Sequence, residues 1–302
     1  MYLEHYGLIR APFEMTPDPA FLYLGEAHQE GLATLLYAVR ARKGFAMLTG
    51  EVGTGKTTLL HALLAQLDPE TASAFLFNPR LEPLDFFRVL FDELGIRAEC
   101  RTKADYLIAL NDFLIDRLRR DLPTLLIVDE AQNLTPELLE EIRLLSNLET
   151  PTAKLIHILL VGQPELESLL ARHELRQLRQ RIVLRFRLRP FDAAETASYV
   201  EERLRLAGYT GKDLFRRPAL KRLYEVTGGV PRLINVVCDG VLLTGYSRDL
   251  DSFDAAIVDE VAQDLGLLSA PGPDVRSGSE VPAPHEGHRR RGWRGRLRGL
   301  FR

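Results

Sequence analysis

Cysteine is scarce. Only Cys100 and Cys238 occur in 302 residues, far apart and without metal-ligand spacing. That leaves no basis for a disulfide framework and fits a reducing cytosol. Long apolar runs are also missing, and none approaches the ~18 residues that span a bilayer. The opening residues, Met1-Tyr-Leu-Glu-His-Tyr-Gly-Leu-Ile-Arg10, lack the apolar core of a signal peptide. Basic residues are outnumbered through most of the chain. Residues 289–302 hold seven arginines and no acid, which leaves 32 basic against 42 acidic residues, a net −10, everywhere else. An acidic body argues against broad nonspecific DNA binding and directs any polyanionic partner to the C-terminal residues. What remains is an ordinary globular composition, 46% apolar and 27% charged. Its length suits one core domain plus a smaller second domain.

Against this background one stretch stands out, Gly50-Glu-Val-Gly-Thr-Gly-Lys-Thr57. It fits G-x-x-x-x-G-K-[ST], a loop whose backbone N–H groups wrap phosphate oxygens. The flanking residues supply the context this motif needs. Phe45 to Thr49 is a short apolar run, hence a buried strand, and Leu59, Leu60, Leu63, Leu64 and Leu67 repeat at helical spacing after Lys56. Downstream, Leu125-Leu-Ile-Val-Asp-Glu130 is an apolar strand ending in two acids.

Further strands are expected at Ala74–Phe77, Lys154–Val161 and Ile182–Leu188, with helices near 83–94 and 103–120. Thr135-Pro136 reads as an N-cap with proline at the first helical position. Strands alternating with helices imply right-handed crossovers and a parallel sheet covered on both faces. The ligand then belongs outside the carboxyl ends of the strands, where both motifs fall. After Pro190 strand signals stop, and helical patterns run near 192–207, 216–227, 230–246 and 254–266. The expected fold is a three-layer α/β nucleotide-binding domain at 1–190, then a small all-helical lid at 191–268. From Ser269 to residue 302 the Ala, Pro, Gly and Ser content predicts a disordered linker leading to the arginine-rich tail.

Each candidate residue has a chemical reason. Gly50, Gly53 and Gly55 allow close approach of main chain to phosphate, with Glu51, Val52, Thr54 and Thr58 completing the loop. Lys56 is expected on the β- and γ-phosphates of ATP, and the Thr57 hydroxyl on Mg2+. Asp129 is expected to hold the magnesium indirectly, from the layer behind its direct ligands. Glu130 is the carboxylate expected to activate or orient water, because hydrolysis needs one in line with the γ-phosphate. Gln132 and Asn133 follow directly, with adjacency as their only support. Gln163 ends the strand 154–161 and is placed between the two motifs, where its amide can meet the γ-phosphate or the water; starting the next helix is its other reading. Arg172, Arg176, Arg179, Arg181 and Arg185 form either a solvated face or a source of a trans arginine finger. Arg232 follows the shaped turn Gly228-Gly-Val-Pro231 and is expected to carry γ-phosphate contact to the lid; a surface arginine at a helix start is its other reading.

These motifs, with Tyr6-Gly-Leu, Ala11-Pro-Phe13, Thr16-Pro-Asp-Pro19, Phe21-Leu-Tyr-Leu24, Asn78-Pro-Arg80, Ser146-Asn-Leu-Glu149, Gly162-Gln-Pro-Glu-Leu166, Leu175-Arg-Gln-Leu-Arg-Gln-Arg-Ile182 and Gly228-Gly-Val-Pro-Arg-Leu-Ile-Asn235, resemble the AAA+ ATPases of the general secretion pathway protein A (ExeA-like) family. The likeness covers nearly all of residues 1–266. It implies Walker A at 50–57, Walker B at 125–130, sensor 1 at Gln163 and sensor 2 at Arg232. It also implies a trans finger at Arg181, with Arg179 as runner-up, and an adenine pocket lined from Phe13 to Leu24. A homo-oligomer driving an envelope-machinery partner (secretion, pilus or exopolysaccharide export) is the implied setting. Some relatives continue into a membrane span and a peptidoglycan-binding domain; neither pattern occurs in this sequence, which points away from a direct cell-wall role.

In the tail, Trp293, Leu297, Leu300 and Phe301 share one helical face amid arginines, the pattern of a peripheral anchor on an anionic membrane. Gly292, Gly295 and Gly299 oppose a helix there, and a disordered basic end is the competing reading. Two alternatives to the envelope reading stand: a DNA-associated AAA+ regulator of the transposition-helper type, and a nucleotide-gated scaffold with little turnover.

Overall fold

Three strands are apolar at every position but their ends, and the sheet they form is buried on both faces. The computed structural model describes residues 1–15, 21–77 and 81–268. The expected linker and tail lie outside the described residues, as do 16–20 and 78–80 from the quoted motifs. In chain order the elements are α1 (Tyr2–His5), α2 (Glu26–Arg40), β1 (Phe45–Gly50), α3 (Lys56–Gln66), β2 (Ala72–Leu76), α4 (Pro83–Glu93), α5 (Lys103–Arg119), β3 (Thr124–Val128) and α6 (Pro136–Leu145). Then follow β4 (His157–Gly162), α7 (Glu165–Leu170), α8 (Arg176–Arg181), β5 (Ile182–Leu188), α9 (Ala193–Leu206), α10 (Arg217–Thr227), α11 (Pro231–Ser247) and α12 (Ala255–Asp264).

The sheet runs β2-β3-β4-β1-β5, with every neighbouring pair parallel. Its central strands divide their side chains by the two-residue period of a strand. Phe45, Met47, Leu126, Val128, Ile158 and Leu160 point into one core, formed with α4 to α8. Ala46, Leu48, Leu125, Ile127, Leu159 and Val161 point into the other, with α2 and α3. Each such leucine, isoleucine or valine contributes ~1.5–3 kcal/mol by leaving water. This double burial explains why the strands read as continuous apolar runs rather than alternating ones.

Local signals set the helix starts. The Thr135 hydroxyl accepts the Leu138 N–H at 3.2 Å, and Pro136 opens α6. Thr102 with Asp105, and Asp192 with Glu195, form reciprocal capping boxes at α5 and α9. Several boundaries shift by one or two residues, as at β2, which runs Ala72–Leu76 rather than 74–77, and the largest shift is at β4. The strand expected from Lys154 begins at His157, because residues 149–154 close a tight turn instead. The Thr150 hydroxyl accepts the Ala153 N–H at 3.1 Å, and Lys154 bridges back to Glu149 in an antiparallel sense.

A third core joins α9 to α12 with Tyr6, Leu8, Phe13 and Phe21 of the N-terminal arm. The two ends of the described chain therefore pack together. Arg203, buried in α9, fastens them. Its guanidinium donates to the Pro12 carbonyl, to the Glu14 carbonyl at 3.3 Å and to the Tyr199 hydroxyl at 3.2 Å. No helix among the described residues is long and apolar enough to cross a membrane.

Candidate nucleotide-binding site

The strand order brings the motifs together. β4 lies between β1 and β3, so Gln163, just after β4, falls between the loop leaving β1 and the acids ending β3. Register keeps these ends level, with Thr49 opposite Gly162 and Val128 opposite Leu160. Above them opens a cavity of about 440 Å³, lined by Gly53, Lys56, Thr57, Glu130, Gln163 and Arg232. Val52, Gly55 and Thr58 also line it.

The loop is built on left-handed glycines, Gly53 at φ 81° and Gly55 at φ 95°. The Thr54 hydroxyl donates to the Glu51 carbonyl at 2.8 Å and closes the turn. Lys56 opens α3 and folds its ammonium back, donating to the carbonyls of Gly50 at 2.7 Å and Glu51 at 3.0 Å. Burial pushes the Lys56 pKa below its ordinary value, while the Glu130 and Asp129 carboxylates oppose that shift. Gly50, Glu51 and Thr54 therefore shape the loop from behind and do not line the cavity.

Beneath the loop lies a residue with no sequence signal. His28 of α2 is 2% exposed, and its Nε2–H donates to the Thr54 carbonyl at 2.9 Å. The carbonyl only accepts, so this nitrogen carries the proton. Nδ1 is buried without a partner, and burial lowers the His28 pKa. The neutral ring is the form that fits. A Cβ on Gly55 would lie 2.9 Å from His28 Nε2, so glycine is needed for this close approach as well as for φ.

Asp129 and Glu130 face different ways. Asp129 is buried, with Oδ1 accepting the Glu130 N–H at 2.9 Å, and burial raises its pKa. It stands behind the cavity wall near Lys56. Glu130 adopts a left-handed backbone, φ 51°, that turns its side chain into the cavity. A short 3₁₀ turn, Ala131–Asn133, follows. It brings Gln132 back so that Nε2 donates to Glu130 Oε2 at 2.5 Å, while Gln132 Oε1 accepts the Gln163 N–H at 3.0 Å. Gln163 Nε2 donates to the same Glu130 oxygen at 3.3 Å.

The helical layer closes the cavity from above. The Arg232 N–H, in the first turn of α11, donates to the Gly53 carbonyl at 3.2 Å, and a Cβ on Gly53 would lie 2.7 Å from the Arg232 Cβ. The same cavity is lined by the aromatic side chains of Phe21, Tyr23, Phe191 and Tyr199 with Arg203 and Asn235. Tyr199 donates to Asn235 Oδ1 at 2.8 Å. Of the expected adenine-pocket stretch, Phe21 and Tyr23 line the cavity, whereas Phe13 is fully buried beside Phe215. Arg181 is elsewhere. It ends α8 and donates to the Ser146 hydroxyl at 2.5 Å, away from the cavity lining. Arg179 and Arg185 line a separate cavity of about 210 Å³ beside β5.

Glycine loop, buried lysine, strand-end acids and a five-stranded parallel sheet define a P-loop protein of AAA type. An AAA-domain family model matches residues 39–170. The fold likeness extends to the ORC2 protein of Aeropyrum pernix, at TM-score 0.62 and 18% identity, covering 84% of this chain and 71% of that one. Cdc6p of Pyrobaculum aerophilum gives TM-score 0.62 at 20% identity, over 82% of this chain and 71% of that. At such identities these show the fold alone. In sequence the chain is 42% identical over 249 residues to general secretion pathway protein A of Aeromonas hydrophila. The resemblance read from the motifs thus holds over 82% of this chain, which spans 45% of that relative's length.

Proposed function

We propose that this chain hydrolyses ATP with magnesium as an oligomeric AAA+ ATPase and couples the reaction to an envelope secretion or assembly system. The observation that carries the proposal is that groups from three strand ends and the first turn of α11 line one cavity. Phosphate oxygens offer Lys56 charged acceptors in place of the two loop carbonyls it now holds. The purine fits between the aromatic side chains of Phe21, Tyr23 and Phe191. Glu130 takes the proton of the attacking water, Gln163 orients that water, and Arg232 meets the γ-phosphate from the helical side.

The donor set suits magnesium. No cluster of three or more His, Cys, Asp or Glu able to hold a metal exists among the described residues. In this reading the Thr57 hydroxyl holds magnesium directly and Asp129, behind the cavity wall, supports it through water, since magnesium typically takes few protein ligands and keeps phosphates and waters in its shell. When bound, it offsets charge on the transferred phosphoryl group.

In this reading residues 191–268 act as a lid, and Arg181, outside its own cavity, reaches the site of a neighbouring copy. The coupling to secretion rests on the name of the A. hydrophila relative, and contact with anionic membrane rests on the 289–302 sequence. ATP turnover at rising protein concentration tests the trans arrangement. Arg181→Ala should lose ~10³–10⁵ in rate. Mixing it with Lys56→Ala, which offers a finger but no site, should recover measurable turnover. Mixtures as inactive as their parts would remove Arg181 from this role.

A further inference from the structure

Gln132 joins the end of β3 to the end of β4 through a single side chain. Its amide nitrogen donates to Glu130 Oε2 and its amide oxygen accepts the Gln163 N–H. The amide orientation is fixed, since an N–H cannot accept and a carboxylate cannot donate. A second observation shows that the fold is shaped around this bridge. A Cβ on Gly162 would lie 2.5 Å from Gln132 Oε1, so any side chain at the last residue of β4 would push the amide, the end of a flexible side chain, out of this seat. The 3₁₀ turn after the left-handed Glu130 supplies the other half of the geometry.

Both amide donors, from Gln132 and Gln163, converge on Oε2. Among the described residues no donor engages Oε1. We propose that Gln132 is a positioning residue: it fixes the Glu130 carboxylate with Oε1 presented to the water and ties that carboxylate to the backbone at Gln163, so that a shift at the end of β4 moves it. The proposal rests on Glu130 being the water-activating carboxylate. Only a side chain with a donor and an acceptor at this reach can do this. Glutamate would set two carboxylates against each other, and leucine offers neither bond.

The test compares full-length Gln132→Leu, Gln132→Glu, Gly162→Ala and Glu130→Gln for ATP kcat, nucleotide Kd and unfolding midpoint. Both Gln132 variants should lose roughly 10–100-fold in kcat, the range seen when an orienting partner is removed, with nucleotide Kd within about threefold of wild type. Gly162→Ala should lose kcat too, although it removes no polar group, and it supplies the answer if a Gln132 variant fails to fold. Combining Gln132→Leu with Gln163→Ala should cost less than the product of the two single losses. Wild-type kcat in the Gln132 variants, with Glu130→Gln inactive, overturns the positioning role while sparing the hydrolysis reading. An equal loss of kcat and nucleotide affinity, or strictly multiplicative losses in the double variant, overturns it as well. Normal turnover in Glu130→Gln defeats the underlying reading instead.

Discussion

Replacing Gly53 with alanine puts one carbon between the phosphate loop and the start of α11. At φ 81° an alanine is strained by ~1–2 kcal/mol. The new Cβ would lie 2.7 Å from the Arg232 Cβ and 3.2 Å from Val230 Cγ1, both on or beside the first turn of α11. Relief of that clash separates Arg232 from Gly53 and stretches their 3.2 Å backbone bond, which is worth ~1 kcal/mol net. The backbone strain lowers stability, while the stretched bond to α11 costs ~1 kcal/mol, or about fivefold in nucleotide affinity. Gly95→Ala is the control. It has φ 67° and nothing within 4 Å of the added carbon, so it carries backbone strain alone. Equilibrium titration with a fluorescent ATP analogue, alongside thermal unfolding, should show both variants destabilised and only Gly53→Ala weakened in binding. If the two bind nucleotide within threefold of each other, the contact between Arg232 and Gly53 plays no part in binding.

Two further perturbations probe the scaffold. His157 heads β4 at 4% exposure, and burial, with Arg42 nearby, pushes its pKa down to about 4. The folded pKa is depressed, so stability is full above the unfolded value of ~6.5 and falls as pH drops toward 4. Wild type should lose ~2 kcal/mol by about pH 5 through this group, and His157→Leu should show a flatter profile in urea unfolding; parallel profiles would refute the assignment. Arg203→Ala leaves the Pro12 and Glu14 carbonyls without their donor. It should cost ~3 kcal/mol and expose the N-terminal arm to proteolysis, with Arg203→Lys intermediate because it loses the planar fork. An arm as protease-resistant as wild type in Arg203→Ala would refute the fastening role.

The fold was legible where one segment carried its own evidence. Phe45 to Thr57 holds strand, loop and helix start in a continuous stretch, and the apolar run before Asp129 marked a buried strand end. Thr135-Pro136 announced α6 because capping is local. The start of β4 was not readable, since the apolar pattern from Leu155 gives no hint that Thr150 and Glu149 close a turn onto Lys154. His28 was invisible for a different reason. It looks like any residue of an amphipathic helix, and only tertiary packing carries it under Thr54. Gln132 has only its adjacency to the acids to mark it in sequence; its bridge depends on β4 lying beside β3 and on Gly162 being bare. The buried pair Tyr199 and Arg203 did carry a signal, two polar residues four apart on the apolar stripe of α9, but nothing in the sequence tied them to the arm at Pro12.

The central claim is hydrolysis driven from the end of β3. Glu130→Gln keeps the shape of the side chain and removes its basicity, so ATP turnover and nucleotide affinity measured side by side test it directly. Glu130→Gln should keep wild-type affinity with turnover at least ~10²-fold lower. Turnover close to wild type in that variant would contradict the claim.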